Sequence, residues 1–492
     1  MKRDCSLSGK SSMKRKDEVM QRIWNFEKFG TKPAIIDDKG DSLSYRELGE
    51  FCKDIASLNL NRSLFMMFCE NTIGALSCYY SFLNNGFPLM LLSSGLSSEA
   101  KDNLMKIYHP GFMILPEKQR NEYPFMKEVW RVKDYVVLKT NYDKLYPVYS
   151  DLALLLSTSG STGSVKFVRQ TFENTIFNAK TLSEMLGMTS DERTVTSLPM
   201  YYTYGLSFIN TTFLIGATMM VTKRSFMEED FWDFVEDQKV TAFNGVANAY
   251  DMLMRIGIFE EEFPNLKLMT QAGNKLSNEI QKYLGDYADK YGKRFVVIYG
   301  LCETTCHIAY LPSENCLEKP GSVGIPIPGG KIYLADDEGN EINEPDRDGQ
   351  VIYEGPNVTM GYALSGEDLC KDDEWHGKVQ TGDMARRDPD GYYHITGRIK
   401  RYIKIAGNRI SLDEIDEKIM EALHIFSVSS GTDDDLVVFV NGEEEKEAVS
   451  QFIKKALPVA RTCLRVKQID EFPKNEAGKI MYGELKKIAM SK

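Results

Sequence analysis

The stretch SLFMMFCENTIGALSCYYSFLNNG, residues 63–86, sets the pattern of the first half of this 492-residue chain. It begins with a short apolar run, SLFMMFC, which is typical of a buried strand. The part that follows, NTIGALSCYYSFLNNG, has the length of a helix and ends on a glycine, a residue that favours helix termination. The stretch therefore predicts one strand–helix unit of an α/β fold.

The same alternation continues on both sides of this unit. KPAIIDD (32–38) is typical of a strand, and SYRELGEFCKDIASL (44–58) predicts a helix that opens on a serine cap. Further along, TAFNGV, KLMTQAG and RFVVIYG are short apolar runs that each end near a glycine. We expect doubly wound, largely parallel sheets that bind ligands at the carboxyl ends of their strands.

From about residue 320 the composition changes to Gly- and Pro-rich segments that alternate as β structure does, such as GQVIYEGPNVTMGYAL (349–364). A hairpin turn is expected at Asp390-Gly391, followed by strands and a helix. We predict a disordered lead-in over residues 1–18, an N-terminal domain over 19–397 that includes a small β subdomain, and a smaller α+β domain over 398–492.

Composition excludes several classes of function. Lys and Arg number 60 against 71 Asp and Glu, a net charge of -11, which argues against broad binding to nucleic acid or anionic membranes. No apolar stretch reaches the ~20 residues of a membrane span. Nine cysteines without a CxxC pair favour a reducing, cytoplasmic setting. Cys302, Cys306 and His307 lie close together, but without a second pair nearby they make a weak zinc site.

One loop has the composition of a phosphate-binding site. The segment LLLSTSGSTGSVKF (154–167) matches neither the Walker A pattern nor G-x-G-x-x-G. Its glycines would nevertheless let backbone N–H groups approach a polyanion, its hydroxyls could donate, and Lys166 adds positive charge. Taken alone, the loop is compatible with phosphate binding or with a flexible surface loop.

Four downstream motifs place this loop in context: YGLCETT (299–305), TGD (381–383), GRIKRYIKIAGNRISLDEI (397–415) and PKNEAGKI (473–480). In this order, the set resembles the adenylate-forming superfamily of acyl-CoA synthetases, peptide-synthetase adenylation domains and luciferases. The resemblance covers roughly residues 44–480. It implies two hinged domains and an enzyme that uses ATP and Mg²⁺ to convert a carboxylic acid to an acyl-AMP, with release of pyrophosphate. The acyl group then passes to a phosphopantetheine thiol, on either CoA or an acyl carrier protein.

The resemblance also assigns roles to residues. Lys479 would bridge the attacking carboxylate and the α-phosphate, Lys166 and Glu303 would act beside the phosphates, and Thr158 and Glu303 would contact Mg²⁺. Lys400 would be the hinge. The residues implied in ATP and AMP binding are Thr158, Ser159, Gly160, Ser161, Thr162, Gly163, Gly273, Asn274, Tyr299, Gly300, Cys302, Thr304, Asp383 and Arg398. The residues implied in the acyl pocket are Tyr202, Tyr204 and Gly205.

Within these roles, Tyr299 would stack on adenine, and Asp383 would accept hydrogen bonds from both ribose hydroxyls. Cys302 stands where the family pattern has a threonine, and a thiol is a weaker hydrogen-bond donor than a hydroxyl. Thr203 lies near the position at which amino-acid-adenylating members carry an aspartate, so an acid without a free α-amine is favoured.

Two alternatives stay open: an amino-acid-adenylating carrier-protein ligase and a catalytically reduced nucleotide-binding scaffold. The basic segments GRIKRYIK and RTCLRVK are candidates for docking an acidic carrier protein or for binding the 3′-phosphate of CoA.

Overall fold

The computed structural model describes residues 24–158, 166–405, 408–456, 463–474 and 480–490. The opening stretch of the sequence forms a strand and a helix at the centre of an eight-stranded sheet with the order β20-β9-β8-β4-β3-β5-β7-β6. Its strands are β3 (Phe65–Cys69), β4 (Leu89–Ser93), β5 (Phe112–Pro116), β6 (Lys127–Val132), β7 (Tyr135–Lys139), β8 (Leu152–Ser157), β9 (Phe167–Thr171) and β20 (Tyr362–Ala363). Strand β3 is parallel to β4 and β5, and β4 is parallel to β8, as the strand–helix alternation predicts.

A second large sheet has nine strands in the order β16-β15-β14-β13-β12-β10-β11-β1-β2. Its strands are β1 (Pro33–Asp37), β2 (Ser42–Ser44), β10 (Arg193–Val195), β11 (Thr218–Val221), β12 (Ala242–Val246), β13 (Leu268–Ala272), β14 (Arg294–Tyr299), β15 (Ala309–Leu311) and β16 (Ile325–Pro326). Its central pairs, from β1 to β14, are parallel. The carboxyl ends of β12, β13 and β14 therefore lie at one edge of the sheet.

Helices cover both sheets. They are α1 (Tyr45–Ser57), α2 (Ile73–Asn84), α3 (Ser98–Tyr108), α4 (Phe172–Met185), α5 (Thr203–Leu214), α6 (Glu229–Asp237), α7 (Ala247–Arg255), α8 (Asn278–Lys290), α9 (Leu412–Leu423), α10 (Glu443–Ala456) and α11 (Tyr482–Met490). Every residue of α2 is buried, and α5 is almost as fully buried. Both helices lie between the two large sheets, and the hydroxyl of Tyr79 on α2 donates to Asn210 Oδ1 on α5 at 3.0 Å.

The predicted β subdomain is an antiparallel sheet with the order β18-β17-β19-β21-β22. Its strands are β17 (Lys331–Ala335), β18 (Glu341–Ile342), β19 (Gly349–Glu354), β21 (Lys378–Arg387) and β22 (Tyr393–Arg398). The C-terminal part contains the hairpin β23 (Tyr402–Ile405) and β24 (Asn408–Ser411), and a three-stranded sheet of β25 (Val428–Thr432), β26 (Asp435–Val440) and β27 (Leu464–Gln468). Helices α9 to α11 pack on these strands.

The predicted fold class, α/β with a small β subdomain and an α+β C-terminal part, is confirmed. The domain boundaries at residues 18 and 397 stay predictions. Within the described ranges, no helix is both long enough and apolar enough to cross a membrane.

Candidate active site

The site is built around a tight loop at the carboxyl end of β14. Strand β14 ends at Tyr299, and the chain turns at Gly300 into one 3₁₀ turn that begins at Cys302. A Cβ atom on Gly300 would lie 1.4 Å from the carbonyl oxygen of Cys306, so this position admits only glycine. The turn holds Tyr299 and Glu303 four residues apart at the strand end, where doubly wound sheets bind ligands.

A buried carboxylate from the β subdomain meets this loop. The Tyr299 hydroxyl donates to Asp383 Oδ2 at 2.6 Å, and Arg398 Nε lies 3.0 Å from Asp383 Oδ1. Asp383 and Arg398 are direct cross-strand partners on β21 and β22, which fixes their distance. Asp383 is 3% exposed. The three predicted nucleotide-binding residues therefore form one cluster.

Burial raises the pKa of Asp383 above its usual range, and the positive charge of Arg398 opposes that rise. Burial and the Asp383 carboxylate raise the pKa of Tyr299 well above its usual range, so its hydroxyl remains a donor at neutral pH. A carboxylate held in this way can accept hydrogen bonds from a pair of ligand hydroxyls, as the sequence predicts for a ribose.

Glu303 belongs to a second cluster, which includes a residue that the sequence analysis missed. The Tyr362 hydroxyl donates to Glu303 Oε1 at 2.6 Å, and Lys166 Nζ lies 3.9 Å from the centroid of the Tyr362 ring. Tyr362 is on β20, which pairs with β9 next to the phosphate-loop hairpin. In the sequence Tyr362 lies in GPNVTMGYAL, a segment whose alternation predicts β structure and gives no sign of a contact with Glu303.

The hairpin β8–β9 carries the predicted phosphate loop. Its described ends face the loop that follows β14, residues 300–306, which carries Glu303 and is called the Glu303 loop. The Thr158 N–H donates to the Lys166 carbonyl at 3.2 Å and closes the hairpin. Cys302 Sγ lies 3.8 Å from the Ser157 carbonyl oxygen and 3.1 Å from Thr203 Oγ1. The two loops that the sequence assigns to the phosphates are thus in contact.

The oxygen atoms at this contact are of the kind that Mg²⁺ prefers. Thr158 Oγ1 is buried and has no hydrogen-bond partner among the described residues, and Glu303 supplies a carboxylate nearby in the adjoining loop. The described part of the chain contains no group of three or more His, Cys, Asp or Glu side chains that could hold a metal by themselves. Thr158 and Glu303 would hold a bound Mg²⁺ through their side-chain oxygen atoms.

The zinc interpretation of Cys302, Cys306 and His307 finds no support in this geometry. The His307 ring is buried, with Nε2 3.2 Å from Ser207 Oγ, and burial lowers the pKa of His307 to about 3. His307 is therefore a neutral packing residue at physiological pH.

Thr304 and the turn that follows it are also buried. Asn357 Nδ2 donates to the carbonyls of Thr304 and His307, at 2.7 Å each. These bonds hold the backbone of the chain at Thr304 and His307, next to Glu303. No motif in the sequence points to Asn357.

The loop after β13 forms another wall of the site. Gly273 has φ +96°, a conformation that favours glycine, and Gln271 Nε2 donates to the Asn274 carbonyl at 2.7 Å. At the end of this loop Lys275 Nζ lies 2.7 Å from Glu417 Oε1 on α9. This ion pair links the loop that carries Gly273 and Asn274 to the C-terminal part of the chain.

Of the three predicted acyl-pocket residues, two lie inside the core. The Tyr204 hydroxyl lies 2.7 Å from Thr270 Oγ1, and a Cβ on Gly205 would lie 2.7 Å from the Pro199 carbonyl oxygen. Tyr202 is half-buried and lies against Gly273.

Several predicted residues fall outside the described ranges. They are Ser159, Gly160, Ser161, Thr162, Gly163 and Lys479. The segment that carries Lys479 has a defined base, because Lys474 and Ile480 form an antiparallel bridge and the Met481 N–H donates to the Pro473 carbonyl at 2.8 Å. The predicted hinge residue, Lys400, lies in a 3₁₀ turn immediately after β22.

Three arginines of the two basic segments, the candidates for docking a carrier protein or for binding the 3′-phosphate of CoA, are paired with acids. Arg401 lies 2.6 Å from Asp413 Oδ1 and 2.9 Å from Asp416 Oδ2, and its side chain is 7% exposed. Arg398 pairs with Asp383, and Arg465 pairs with Asp435. The charges of these three arginines are thus neutralised within the chain.

The fold and the site together define a nucleotide-binding α/β enzyme in which a buried carboxylate, a tyrosine and an arginine lie beside a phosphate-loop hairpin. The sequence model of the family described as "AMP-binding enzyme" matches residues 23–363. The chain therefore belongs to the AMP-binding enzyme family.

Individual relatives agree with this assignment. An oxalate–CoA ligase from Arabidopsis thaliana is 30% identical over 354 residues, and the match covers 67% of this chain and 66% of the relative. A 2-succinylbenzoate–CoA ligase from Oceanobacillus iheyensis is 26% identical over 482 residues, with 93% of this chain and 96% of the relative covered. The matched part is thus about two thirds of the plant ligase and nearly all of the bacterial one.

The fold is also that of a solved relative. The o-succinylbenzoate CoA synthetase of Bacillus subtilis, in complex with its acyl-adenylate intermediate, superimposes with a TM-score of 0.76 at 20% identity and covers 95% of this chain and 97% of its own. The predicted family is confirmed, and so is the type of enzyme, an AMP-forming acid–thiol ligase, at the level of the family.

Proposed function

We propose that this chain activates a carboxylic acid with ATP and Mg²⁺ and transfers the acyl group to the thiol of CoA. In the first step a carboxylate oxygen bonds to the α-phosphorus and the bond from that phosphorus to the bridging oxygen breaks, which releases pyrophosphate. In the second step the thiolate bonds to the acyl carbon and the carbon–oxygen bond to AMP breaks. AMP leaves with that electron pair.

The observation that carries this proposal is the Asp383 cluster beside the Glu303 loop. Asp383 is buried and bound by Tyr299 and Arg398, an arrangement that fixes an anionic acceptor for two ribose hydroxyls. Lys166 and Glu303 lie on either side of Tyr362, where Lys166 would neutralise phosphate charge and Glu303 would support Mg²⁺. Mg²⁺, when bound, would stabilise the charge on the departing pyrophosphate.

The contacts of Thr203 favour an acid without a free α-amine. The Thr203 side chain is buried, and its hydroxyl faces the Cys302 thiol at 3.1 Å. A hydroxyl and a thiol do not offer the carboxylate that a buried ammonium group needs, so we do not favour the amino-acid-adenylating alternative.

The similarity to CoA ligases supports CoA rather than a carrier protein as the acceptor. The acid pairs of Arg398, Arg401 and Arg465 do not separate the two acceptors, because the same basic segments were candidates for the 3′-phosphate of CoA. The expectation of a reducing, cytoplasmic setting rests on the nine scattered cysteines of the sequence and stays a prediction.

A polar cavity offers a place for the uncharged pantetheine arm of CoA. It has a volume of about 300 Å³ and lies at the carboxyl ends of β3, β4, β10 and β11. The charges in and around it balance, since Glu70 pairs with Lys118 at 2.6 Å and with Lys223, and Arg224 pairs with Asp38 at 3.5 Å and with Asp230 at 3.3 Å. Tyr201 lines this cavity and is the neighbour of Tyr202, so the cavity adjoins the active site.

The test measures exchange of labelled pyrophosphate into ATP with a panel of carboxylic acids. The Lys479→Ala variant should lose acid-dependent exchange by ~100-fold or more and keep acyl transfer from supplied acyl-AMP to CoA, because the lysine would act on the charge of the first step alone. Lys474→Ala, at the base of the same segment, is the matched control and should retain both activities. Equal loss of both half-reactions in Lys479→Ala would contradict the assigned role.

A further inference from the structure

The side chain of Tyr202 closes one side of the proposed active site. Tyr202 immediately precedes α5, and its hydroxyl reaches to 2.7 Å from where a Cβ atom of Gly273 would lie. Gly273 belongs to the loop after β13, and Thr203, the next residue along the chain from Tyr202, contacts Cys302 beside Glu303. The phenol of Tyr202 therefore lies between the loop after β13 and the Glu303 loop.

Behind Tyr202 the protein is packed with apolar side chains. Tyr202 contacts a cluster that includes Tyr204, Phe208, Ala272 and Ile298, and each of these four residues is at most 4% exposed. The Tyr204 ring is fixed further by its bond to Thr270 and by an edge-on contact with Phe208, with 5.6 Å between ring centroids. An acyl chain could not enter this region without displacing the Tyr202 ring.

The other side of Thr203 leaves little more room. Gln170, Asn178, Ser207 and Thr305 line a niche of about 10 Å³ there, which is the space of a single water molecule. The Asn178 Oδ1 and Gln170 Nε2 atoms in this niche are buried without a hydrogen-bond partner among the described residues, so the niche is polar. A long apolar chain would find neither space nor apolar contacts in it.

We propose that the enzyme selects short carboxylic acids over long ones and that Tyr202 sets this limit. The inference rests on the proposed function, since it names the class of acid that the same site activates. Tyr202 is then a specificity-determining residue: it blocks the space that the carbon chain of a longer acid would need.

The experiment compares the full-length wild type with Tyr202→Ala and Tyr202→Phe. Pyrophosphate exchange is measured with straight-chain acids from acetate to decanoate at fixed ATP and Mg²⁺. A methylene that a pocket cannot accommodate lowers kcat/KM by roughly 10-fold or more, so the wild type should lose at least ~100-fold between propionate and octanoate. Tyr202→Ala should move the optimum to longer acids, because it replaces a phenol ring by a methyl group. Tyr202→Phe keeps the ring and should keep the short-chain optimum.

Tyr310→Ala is the matched control. Tyr310 is a half-buried tyrosine that packs on the same apolar cluster but lies on β15, and its removal should leave the chain-length profile unchanged. The thermal midpoints of all variants are measured alongside. A wild type that uses octanoate as well as propionate would overturn the inference and leave the proposed function intact, and so would an unchanged profile in folded Tyr202→Ala. Absence of exchange with every acid would instead overturn the proposed function.

Discussion

Replacing Asp383 by Asn should weaken the binding of ATP without lowering the free energy of unfolding. The amide keeps one acceptor oxygen for the Tyr299 hydroxyl, which lies 2.6 Å from the carboxylate in the wild type. Arg398 loses its ion pair, but water can solvate its side chain, which is 62% exposed. The charge is lost, however, and a hydrogen bond to a charged acceptor is worth about 1.5–3 kcal/mol. The loss of one such bond to a ribose hydroxyl should raise KM for ATP by roughly 10- to 100-fold, at 1.4 kcal/mol for each factor of ten.

The fold should not suffer from the same change. Because burial raises the pKa of Asp383, the ionised carboxylate is less favourable in the folded chain than in the unfolded chain above the unfolded pKa. Its replacement by a neutral amide should therefore leave the free energy of unfolding unchanged to within about 1 kcal/mol, or raise it slightly.

The assay pairs ATP-dependent steady-state kinetics with urea unfolding, and Asp388→Asn is its control. Asp388 accepts from Lys319 Nζ at 3.0 Å and from the Tyr392 N–H at 2.8 Å. Burial acts to raise the pKa of Asp388, but these hydrogen bonds outweigh it and lower the pKa. The control should thus lose stability and keep its KM for ATP. An unchanged KM in a folded Asp383→Asn protein would refute the assignment of Asp383 to the ribose.

Three other changes have defined outcomes. Glu303→Gln should lower kcat for acyl-AMP formation by ~100-fold and raise the Mg²⁺ concentration needed for half-maximal rate, since it removes the carboxylate expected at the metal; a Mg²⁺ titration with unchanged midpoint would contradict this. Gly300→Ala should lower the free energy of unfolding by more than about 2 kcal/mol, because its Cβ would meet the Cys306 carbonyl. Its control is Gly49→Ala, a helical position where a Cβ would meet no atom closer than 4.0 Å; in denaturant titrations this variant should be neutral or stabilised by up to ~1 kcal/mol. Burial lowers the pKa of His307 to about 3, so below pH ~6.5 the unfolded chain binds a proton that the folded chain does not. As the pH is lowered to 5, this group alone should therefore reduce the free energy of unfolding by about 2 kcal/mol. His307→Gln should flatten the dependence of that free energy on pH between 7 and 5, and an unaltered slope would show that other groups cause it.

The sequence by itself determined the elements and the family. Strands and helices such as Phe65–Cys69 and Ile73–Asn84 follow from the spacing of apolar residues, because that spacing is a property of neighbours along the chain. The ordered motifs likewise identified Tyr299, Asp383 and Arg398, which the structure brings into one cluster. Glycine at position 300 was part of a motif, although the reason for it, contact with Cys306, is visible only in the fold.

What the tertiary structure alone decided are the contacts between segments far apart in sequence. Tyr362 lies 59 residues from Glu303 and bonds to it, yet nothing in the local pattern of either segment indicates the pair. The basic segment around Arg401 was a candidate for docking a carrier protein or for binding the 3′-phosphate of CoA, and only the packing of α9 on the end of β22 shows that Arg401 itself is buried against Asp413 and Asp416. The resemblance implied that Tyr202 belongs to the acyl pocket, and only the approach of its hydroxyl to Gly273 shows which loop its ring lies against. Local patterns fix which surface of an element is apolar, but side-chain partners depend on how whole sheets and helices pack, and that packing is set by the burial of many residues together.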